Sequence, residues 1–275
     1  DLMKLLINSL FVPCAVVAAA IFSSGAVAKA DVGVYNQTLQ STAWVLAKSE
    51  GLTSSGSGVL VDSEKKLLIT NFHVVGNART AVIFFPEIKG GKPVVERDTY
   101  LKTVNKIGVK GRVLAVDRKR DLALIELDNI PRGIAAVKLA ETSCGPGETV
   151  HSIGNPQSTE ALWVYTSGTV RSVYQRQFRS GAGDHDFMSL ETQSPINQGD
   201  SGGPVVNAAG ELVGISQSLS AKARLVTTCV DISEVKYFLE SDWKLAPLPI
   251  TEILEKAELE FTKVDGDALE VSFEQ

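Results

Sequence analysis

The chain has 275 residues, of which 27 are Lys or Arg and 32 are Asp or Glu, so its formal net charge is −5. A hydrophobic content of 44% and a charged content of 21% are typical of a globular protein, and the length suffices for one large or two small domains. The acidic balance argues against a nucleic-acid partner, because such proteins normally present a basic surface.

The first thirty residues have the composition of a secretory signal peptide. Met3 and Lys4 precede an apolar run at residues 5–22, and the segment ends in the small-residue pattern Ala28-Lys29-Ala30. This pattern predicts cleavage after Ala30, and with it export to the periplasm or to the outside of the cell, with no stable membrane span left in the mature chain. The alternative is an uncleaved membrane anchor, although polar residues and a proline interrupt the apolar run.

Short apolar runs of strand length, bounded by Gly, Asp, Lys or Asn, follow the first forty or so residues. Residues 51–58 are rich in Gly, Ser and Thr and predict a loop. Residues 86–106 are expected to form an inserted loop, and residues 128–147 a connector. The predicted strands of this first block cover residues 42–47, 58–62, 67–70, 80–85, 111–116 and 122–127.

The same pattern returns after the connector. Residues 171–187, which hold three arginines, are expected to form a second inserted loop, and residues 232–239 a short amphipathic helix. Many short strands with Gly and Pro turns and few helices indicate β-barrels or a β-sandwich. The predicted strands of this second block cover residues 149–154, 162–170, 188–192, 204–207, 211–216 and 225–230.

The tail has a different composition from both blocks. Residues 245–249 are linker-like, residues 251–261 predict a helix, and residues 261–273 alternate around Asp265-Gly266-Asp267, which predicts a hairpin. A helix and one hairpin bury little surface alone. The tail is therefore either the start of a further domain or a cap packed on the barrels.

The cysteines and two of the three histidines allow ordinary structural roles. In an exported protein Cys144 and Cys229 can form one disulfide, but two buried thiols are equally compatible with the sequence. His151 lies inside a predicted strand and is expected in the core, whereas His185 is expected in a surface loop. These residues have no metal-ligand spacing, so the sequence predicts no metal site and no cofactor.

Residues suited to nucleophilic catalysis stand in the order His, Asp, Ser. His73 follows an apolar run, Asp121 precedes one, and Ser201 lies among the glycines of the segment GDSGGP at 199–204. A serine hydroxyl is a weak nucleophile near neutral pH, so it needs a base for its proton and donors for the oxyanion it creates. An imidazole with an ordinary pKa near ~6.5 can accept that proton and return it to the leaving amine.

Six motifs in register carry a family resemblance. The motifs are GSGVL at 56–60, ITNFHVV at 69–75, DLALI at 121–125, IGNP at 153–156, TSGTV at 166–170 and INQGDSGGP at 196–204. Over about residues 35–240 the chain thereby resembles the chymotrypsin-like serine proteases, most of all their HtrA/Deg branch, and the order His, Asp, Ser is theirs and not that of subtilisin or the α/β-hydrolases.

The resemblance implies an all-β fold of two six-stranded antiparallel Greek-key barrels, closed by a short C-terminal helix and followed by a small α+β tail. The protease domain is expected at residues 31–244, with its barrels at about 40–130 and 146–240, and the tail at 245–275. The PDZ domain that usually follows the protease in this branch is not expected, because too few residues come after residue 240.

The resemblance also implies the roles of the site residues. Ser201 is the nucleophile, His73 the general base, and Asp121 the carboxylate that orients the imidazole. Asp117 is a competing carboxylate, but an ion pair with its basic neighbours suits it better. The backbone at Gly199, Asp200 and Ser201 is expected to form the oxyanion hole.

Asp200 departs from the HtrA branch, in which Asn is common at this position. In trypsin-like zymogens this Asp pairs with a newly cut N-terminus, but the predicted mature start at Asp31 does not resemble such a terminus. A buried carboxylate without a partner is costly, so Asp200 needs a partner that the sequence does not name.

The resemblance locates a specificity pocket without an acidic floor. Pro195 stands where trypsin carries that acid, and residues 192–198 contain no Asp or Glu. A small, neutral pocket predicts a preference for a small or medium uncharged residue before the cut bond. The expected lining is Gln193, Ser194, Pro195, Ile196, Asn197, Gln198, Ile215, Ser216, Gln217 and Ser218.

The sequence therefore predicts an exported serine endopeptidase that acts on polypeptides in envelope protein quality control. The alternatives are a protease-fold binding or sensor module whose site is kept closed, and a non-proteolytic esterase. Homotrimer assembly, common in the HtrA family, has Tyr35 and Trp44 as candidate contacts, although both also suit an ordinary core.

Overall fold

The computed structural model describes residues 24–49, 52–181, 183–219, 226–241, 258–263 and 269–274. The first half of the chain contains α1 (Ser24–Leu39), β1 (Thr42–Ser49), β2 (Leu52–Asp62), β3 (Leu67–Thr70), α2 (Phe72–Val75), β4 (Thr80–Phe84), β5 (Ile88–Lys89), β6 (Lys92–Pro93), α3 (Arg97–Lys102), α4 (Val104–Ile107), β7 (Val109–Asp117) and β8 (Leu122–Leu127).

The second half contains β9 (Thr149–Gly154), β10 (Val164–Ser180), β11 (Gly183–Thr192), β12 (Pro204–Asn207), β13 (Leu212–Leu219), β14 (Thr227–Asp231), α5 (Ile232–Glu240), β15 (Glu258–Lys263) and β16 (Leu269–Glu274). Within the described residues, no helix is both long and apolar enough to cross a bilayer. Most of the predicted signal peptide lies outside these residues, and the predicted cleavage point after Ala30 falls within α1.

Two closed barrels of six antiparallel strands make up the fold, and the predicted double barrel is thereby confirmed. The first barrel has the strand order β1-β2-β3-β8-β7-β4, and the second β10-β11-β14-β13-β12-β9. Closure pairs the main chain of every barrel strand on both sides, so neither barrel has an open edge. The predicted short C-terminal helix corresponds to α5, which packs on the second barrel.

Several predicted loops are regular structure instead. The Gly/Ser/Thr segment at 51–58 is largely part of β2, where Ser57 pairs with Trp44 of β1. The expected surface loop at 171–187 forms the long arms of β10 and β11, and the segment 86–106 contains β5, β6, α3 and α4. In each case hydrogen bonds to a neighbouring strand or within a helix replace the turn that local composition favours.

The tail and His185 also differ from expectation. Residues 258–261, predicted as the end of a helix, belong to β15, whereas the predicted hairpin agrees with the pairing of β15 and β16. Residues 251–257 and 264–268 lie outside the described residues. His185 is buried, not a surface residue, and its ring stacks on Phe178 at 4.7 Å between centroids, because the two arms of the hairpin bring these side chains together.

An apolar interface between the barrels, called the seam below, is built from buried side chains of both. Leu122 and Leu124 of the first barrel share one hydrophobic cluster with Phe187 and Ile215 of the second, and with Val235 of α5. Burial of this surface from water holds the barrels together, but such contact is largely non-directional. The alignment of one barrel on the other therefore depends on polar contacts at the edge of the seam.

Trp44 is a core residue. It is fully buried, its ring stacks on Phe84 at 5.2 Å between centroids, and its indole N–H donates to Ser55 at 2.9 Å. It therefore offers no surface to a second subunit, while Tyr35 is half-buried and contacts Tyr165. Of the two aromatic residues considered for trimer contacts, only Tyr35 keeps that possibility.

We expect Trp44→Ala to lower the free energy of unfolding by about 3–5 kcal/mol, because it removes the largest fully buried side chain and leaves a cavity. Urea unfolding at neutral pH measures the change. The control is Ile88→Ala, since Ile88 is 57% exposed and its truncation should stay within about 0.5 kcal/mol of the parent. Equal effects of the two substitutions would contradict the assignment of Trp44 to the core.

Candidate active site

His73 and Asp121 form a hydrogen-bonded pair at the end of the first barrel. His73 lies on α2, directly after β3, and its Nδ1 is 2.7 Å from Asp121 Oδ2 while its main-chain N–H donates to Oδ1 at 2.9 Å. Asp121 is completely buried, whereas the His73 side chain is 34% exposed. A carboxylate at Nδ1 favours the proton on that nitrogen, which leaves Nε2 free to accept one.

Asp121 adopts a backbone conformation that few residues other than glycine populate. Its φ is +54°, and its carbonyl accepts hydrogen bonds from Phe72 N at 3.2 Å and Asn71 Nδ2 at 2.9 Å. Such a strained conformation persists when surrounding contacts require it. The competing carboxylate, Asp117, accepts instead from Arg120 Nη1 at 2.8 Å.

Gln217 is a site residue whose role the sequence did not reveal. It was expected to line the specificity pocket, but its side chain is buried and its Nε2 donates to Asp121 Oδ2 at 3.0 Å. This hydrogen bond crosses from the second barrel to the first. An irregularity of β13 at this point, where the pairing register with β14 shifts between Ser216 and Ser218, aims the Gln217 side chain across the seam.

Ser201 lies across the seam from the His73–Asp121 pair, in the turn between β11 and β12. Its Oγ donates to the Gln217 carbonyl at 3.0 Å, and in the described part of the chain it makes no hydrogen bond with His73. Its main-chain carbonyl accepts from Ser57 N at 2.8 Å, which ties this turn to β2 of the first barrel.

Gly199 begins a turn that only glycine can make here. Its φ is +100°, and a Cβ on it would lie 2.5 Å from the Asn155 carbonyl oxygen. The preceding carbonyl, of Gln198, accepts from Gln157 N at 2.7 Å, so the N–H of Gly199 in the same peptide unit points the opposite way. The chain thus leaves this N–H available on the side opposite Gln157.

Two buried polar residues support the Gly199 turn, and neither was proposed as a site residue. Ser57 Oγ donates to the Gly199 carbonyl at 2.9 Å, and Asn155 N donates to Ser57 Oγ at 3.0 Å. Asn155 also accepts from Trp163 N at 3.1 Å. Both residues lie in motifs that carry the family resemblance, GSG at 56–58 and GNP at 154–156. The motifs therefore mark these positions, but they do not show what the side chains contact.

Asp200 is a second buried carboxylate, and the structure identifies its contacts. Its Oδ2 accepts from Asn197 N at 2.6 Å, while its Oδ1 has no hydrogen-bond partner among the described residues. Desolvation by burial raises the pKa of Asp200 to about 6, opposed by the Asn197 N–H and by the positive charge of Arg97. Arg97 donates to the carbonyls of Asn155 and Pro156 at 3.1 and 2.6 Å.

The predicted pocket residues divide into two groups. Gln193, Pro195, Asn197 and Gln198 are exposed, whereas Ser194 and Ile196 are buried. Ile215 and Ser216 are also buried in β13, which Ser218 continues. Ile215 packs in the seam, so it does not line an open pocket, and Gln217 is turned toward Asp121. Alternation along β13 points Ile215 into the core.

The two cysteines within the described residues are not joined by a disulfide. Cys144 and Cys229 are both buried free thiols in one hydrophobic cluster. Burial raises the pKa of Cys144 to about 11 and that of Cys229 to about 12. Both thiols are therefore protonated and unreactive at neutral pH, which agrees with the second of the two readings that the sequence left open.

Comparisons with known proteins point to one family. A family model described as a trypsin-like peptidase domain matches residues 56–215. Serine protease HTRA1A of Danio rerio is 32% identical over 173 residues, which are 62% of this chain and 32% of that protein. Periplasmic serine endoprotease DegP of Escherichia coli strain K12 is 32% identical over 168 residues, 60% of this chain and 30% of DegP. The chain thus spans about a third of the length of these relatives.

Solved structures share the fold at lower identity. The active form of the Rv3671c protease from M. tuberculosis has a TM-score of 0.64 and 17% identity, and the match covers 89% of this chain and 97% of that one. The serine endoprotease from Yersinia pestis has a TM-score of 0.55 and 21% identity, with 75% and 65% covered. These likenesses support the double barrel.

We expect Asp200→Asn to stabilise the protein at pH 8 and to change its stability much less at pH 4. The folded state holds the Asp200 proton up to about pH 6, whereas the unfolded chain releases it near ~3.8. Stability therefore falls as the pH rises through this window, by at most about 3 kcal/mol for two pKa units. Asparagine keeps the acceptor for Asn197 N and carries no charge.

Urea unfolding of both proteins at pH 4 and pH 8 measures this difference. The control is Asp184→Asn, because the Asp184 side chain is 79% exposed and the substitution makes the same change of charge. A stability gain for Asp200→Asn that is equal at the two pH values would show that the buried carboxylate is not the source.

Proposed function

We propose, since this chain belongs to the trypsin-like peptidase domain family, that it is an exported serine endopeptidase with Ser201, His73 and Asp121 as its catalytic triad. The observation that supports this most directly is the His73–Asp121 pair, with Nδ1 and Oδ2 2.7 Å apart and the carboxylate completely buried. Removing a carboxylate from water costs free energy, and a buried carboxylate is stable only where its hydrogen bonds and charge pairing offset that cost.

The reaction begins when the Ser201 hydroxyl gives up its hydrogen bond to Gln217 and forms one to His73. Rotation of the side chain moves Oγ from the Gln217 carbonyl toward His73 Nε2, which accepts the proton as Oγ attacks the substrate carbonyl. Asp121 stabilises the imidazolium that forms. His73 then gives the proton to the leaving amine, which leaves an acyl group on Ser201. Water, activated by the same imidazole, releases the acid product.

The oxyanion of the tetrahedral intermediate is held by the N–H groups of Gly199 and Ser201. The support for this assignment is the orientation of the peptide unit between Gln198 and Gly199, whose carbonyl is engaged by Gln157. The hydrogen bond from Ser57 to the Gly199 carbonyl keeps the turn in place before substrate binds. A donor that is already oriented needs no reorganisation during the reaction, and removing one typically costs about 10²–10³ in kcat.

The specificity we propose is for a small or medium uncharged residue before the cut bond. The segment 193–198 provides exposed Gln193, Pro195, Asn197 and Gln198 and contains no acidic residue. A basic substrate side chain would find no carboxylate there, so its charge would lose hydration without compensation.

Export and a role in envelope protein quality control complete the proposal. The support is the signal-peptide pattern of residues 1–30 and the name of the related DegP, a periplasmic serine endoprotease. The domain boundaries at 31–244 and 245–275 belong to the same proposal. Homotrimer assembly remains a prediction, with Tyr35 as its candidate contact.

A second function is favoured by one observation. The Ser201 hydroxyl is bonded to the Gln217 carbonyl and not to His73, as expected of a protease-fold binding or sensor module whose nucleophile is kept inactive. The two functions make opposite predictions for covalent labelling, because only an activated serine reacts rapidly with a phosphorylating reagent.

We expect a fluorophosphonate probe to label the native protein at Ser201. Ser201→Ala should abolish labelling, and Asp121→Asn should slow it by about 10³–10⁴, because the imidazole loses its orienting carboxylate. The control is Ser63→Ala at an exposed serine, which should label as the parent does. An unlabelled native protein that still folds would favour the binding module and reject the peptidase.

We expect peptides with Ala or Val before the cut bond to be cleaved with a kcat/KM at least about tenfold above those with Arg or Lys, a difference of about 1.4 kcal/mol. The assay uses peptides that differ only at this residue. Pro195→Asp, which supplies the missing carboxylate, should shift the preference toward Arg and Lys. A preference for Arg or Lys in the unaltered protein would contradict the proposed pocket.

A further inference from the structure

The turn at residues 117–121, between β7 and β8, brings Asp121 to the edge of the seam and contacts the second barrel. Asp186 N, in β11, donates to the Lys119 carbonyl at 3.0 Å, and Lys119 Nζ lies 2.9 Å from Asp186 Oδ2. The residue next to Asp121, Arg120, reaches further along the same face to α5. The turn therefore connects two strands of the first barrel while its Lys119 contacts a strand of the second.

Arg120 contacts two carboxylates and an aromatic ring at once. Its Nε donates to Glu234 Oε2 at 2.6 Å, its Nη1 donates to Asp117 Oδ2 at 2.8 Å, and its guanidinium carbon lies 4.1 Å from the centre of the Tyr237 ring. The side chains of Arg120 and Glu234 are 22% and 13% exposed. A planar guanidinium that is bonded on two edges and stacked on one face has a fixed orientation.

Glu234 connects Arg120 to the second barrel. While its Oε2 accepts from Arg120, its Oε1 accepts from the main-chain N–H of Met188 in β11 at 2.7 Å. One carboxylate thus joins α5, β11 and the turn that carries Asp121. Hydrogen bonds of this kind have strict geometry, unlike the apolar contacts of the seam, and a charged partner makes them stronger than neutral ones.

We propose that Arg120 and Glu234 are positioning residues that hold the His73–Asp121 pair of the first barrel in line with Ser201 of the second. This inference rests on the proposed peptidase function. The reacting atoms come from different barrels, and the apolar contacts of the seam between them are largely non-directional. The ion pair is adjacent to Asp121 in the chain, so a shift of the turn displaces the carboxylate and the imidazole together.

The proposal predicts a particular kinetic signature. The exposed residues of the proposed pocket, Gln193, Pro195, Asn197 and Gln198, lie in the β11–β12 loop of the second barrel, so a shift of the first barrel leaves substrate binding nearly unchanged. The proton transfer from Ser201 to His73, in contrast, crosses the seam. Because a displacement of about 1 Å can cost up to 10² in rate, loss of the ion pair should lower kcat and leave KM within about twofold.

The experiment compares Glu234→Gln with Glu211→Gln in the 275-residue chain at 25 °C. Gln at 234 keeps an acceptor for Met188 N but loses the charge that faces Arg120. The ion pair between Glu211 and Lys138 has the same 2.6 Å separation but joins the β12–β13 turn to the segment that follows β8, so Glu211→Gln removes an ion pair of equal length elsewhere in the fold. Steady-state kcat and KM on one uncharged peptide and the rate of fluorophosphonate labelling are measured for each.

We expect Glu234→Gln to lower kcat and the labelling rate by at least about tenfold with KM within about twofold, and Glu211→Gln to match the parent in all three. Arg120→Lys, which keeps the cation but cannot bond two carboxylates in one plane, should show the same pattern and decides the matter if Glu234→Gln fails to fold. Active variants with the parent kcat, or a loss confined to KM, would overturn the positioning role and leave the peptidase standing. An unaltered protein with neither labelling nor hydrolysis would overturn both.

Discussion

The buried carboxylate of Asp121 is the group on which the rest of the site depends. An isolated carboxylate in an apolar interior costs several kcal/mol, so its oxygens must be occupied by donors. His73 supplies two, its main-chain N–H and its Nδ1, and Gln217 supplies a third. Because the first two come from one barrel and the third from the other, satisfying this charge requires the barrels to meet in one arrangement. A carboxylate at Nδ1 favours the proton on that nitrogen, which leaves Nε2 as the acceptor in the proposed reaction.

Asp200 is buried close to the same seam, but its carboxylate is only partly hydrogen-bonded. It has one backbone donor, an oxygen without a partner in the described residues, and a pKa raised to about 6 by burial. It packs so closely on Gly154 that a Cβ there would lie 2.2 Å from Oδ1. The fold therefore accepts a local cost beside the proposed oxyanion hole, while Asp121 is fully satisfied. Buried polar atoms without a partner are uncommon in folded proteins, and this one adjoins the turn whose backbone N–H groups we propose as the oxyanion hole.

Sequence reasoning succeeded where a feature is local and failed where a distant contact overrides it. The apolar runs predicted most barrel strands because alternation and turn residues act within a few positions. The Gly and Ser content of residues 51–58 predicts a loop, but pairing with β1 satisfies their main chain as a strand. The polar neighbours of His185 predict a surface position, yet the β10–β11 hairpin folds it onto Phe178. Composition cannot report which strand will lie alongside.

The sequence by itself determined the residue types of the proposed chemistry, their order, and the family, because glycine-flanked serine, histidine and aspartate motifs are set by local backbone and side-chain requirements. Only the tertiary structure decided which groups meet. Gln217 donates to Asp121 across 96 positions of the chain, Ser57 to Gly199 across 142, and Arg120 to Glu234 across 114. Such pairs arise from the closure of two barrels on a shared apolar seam, and no local preference of the chain specifies them.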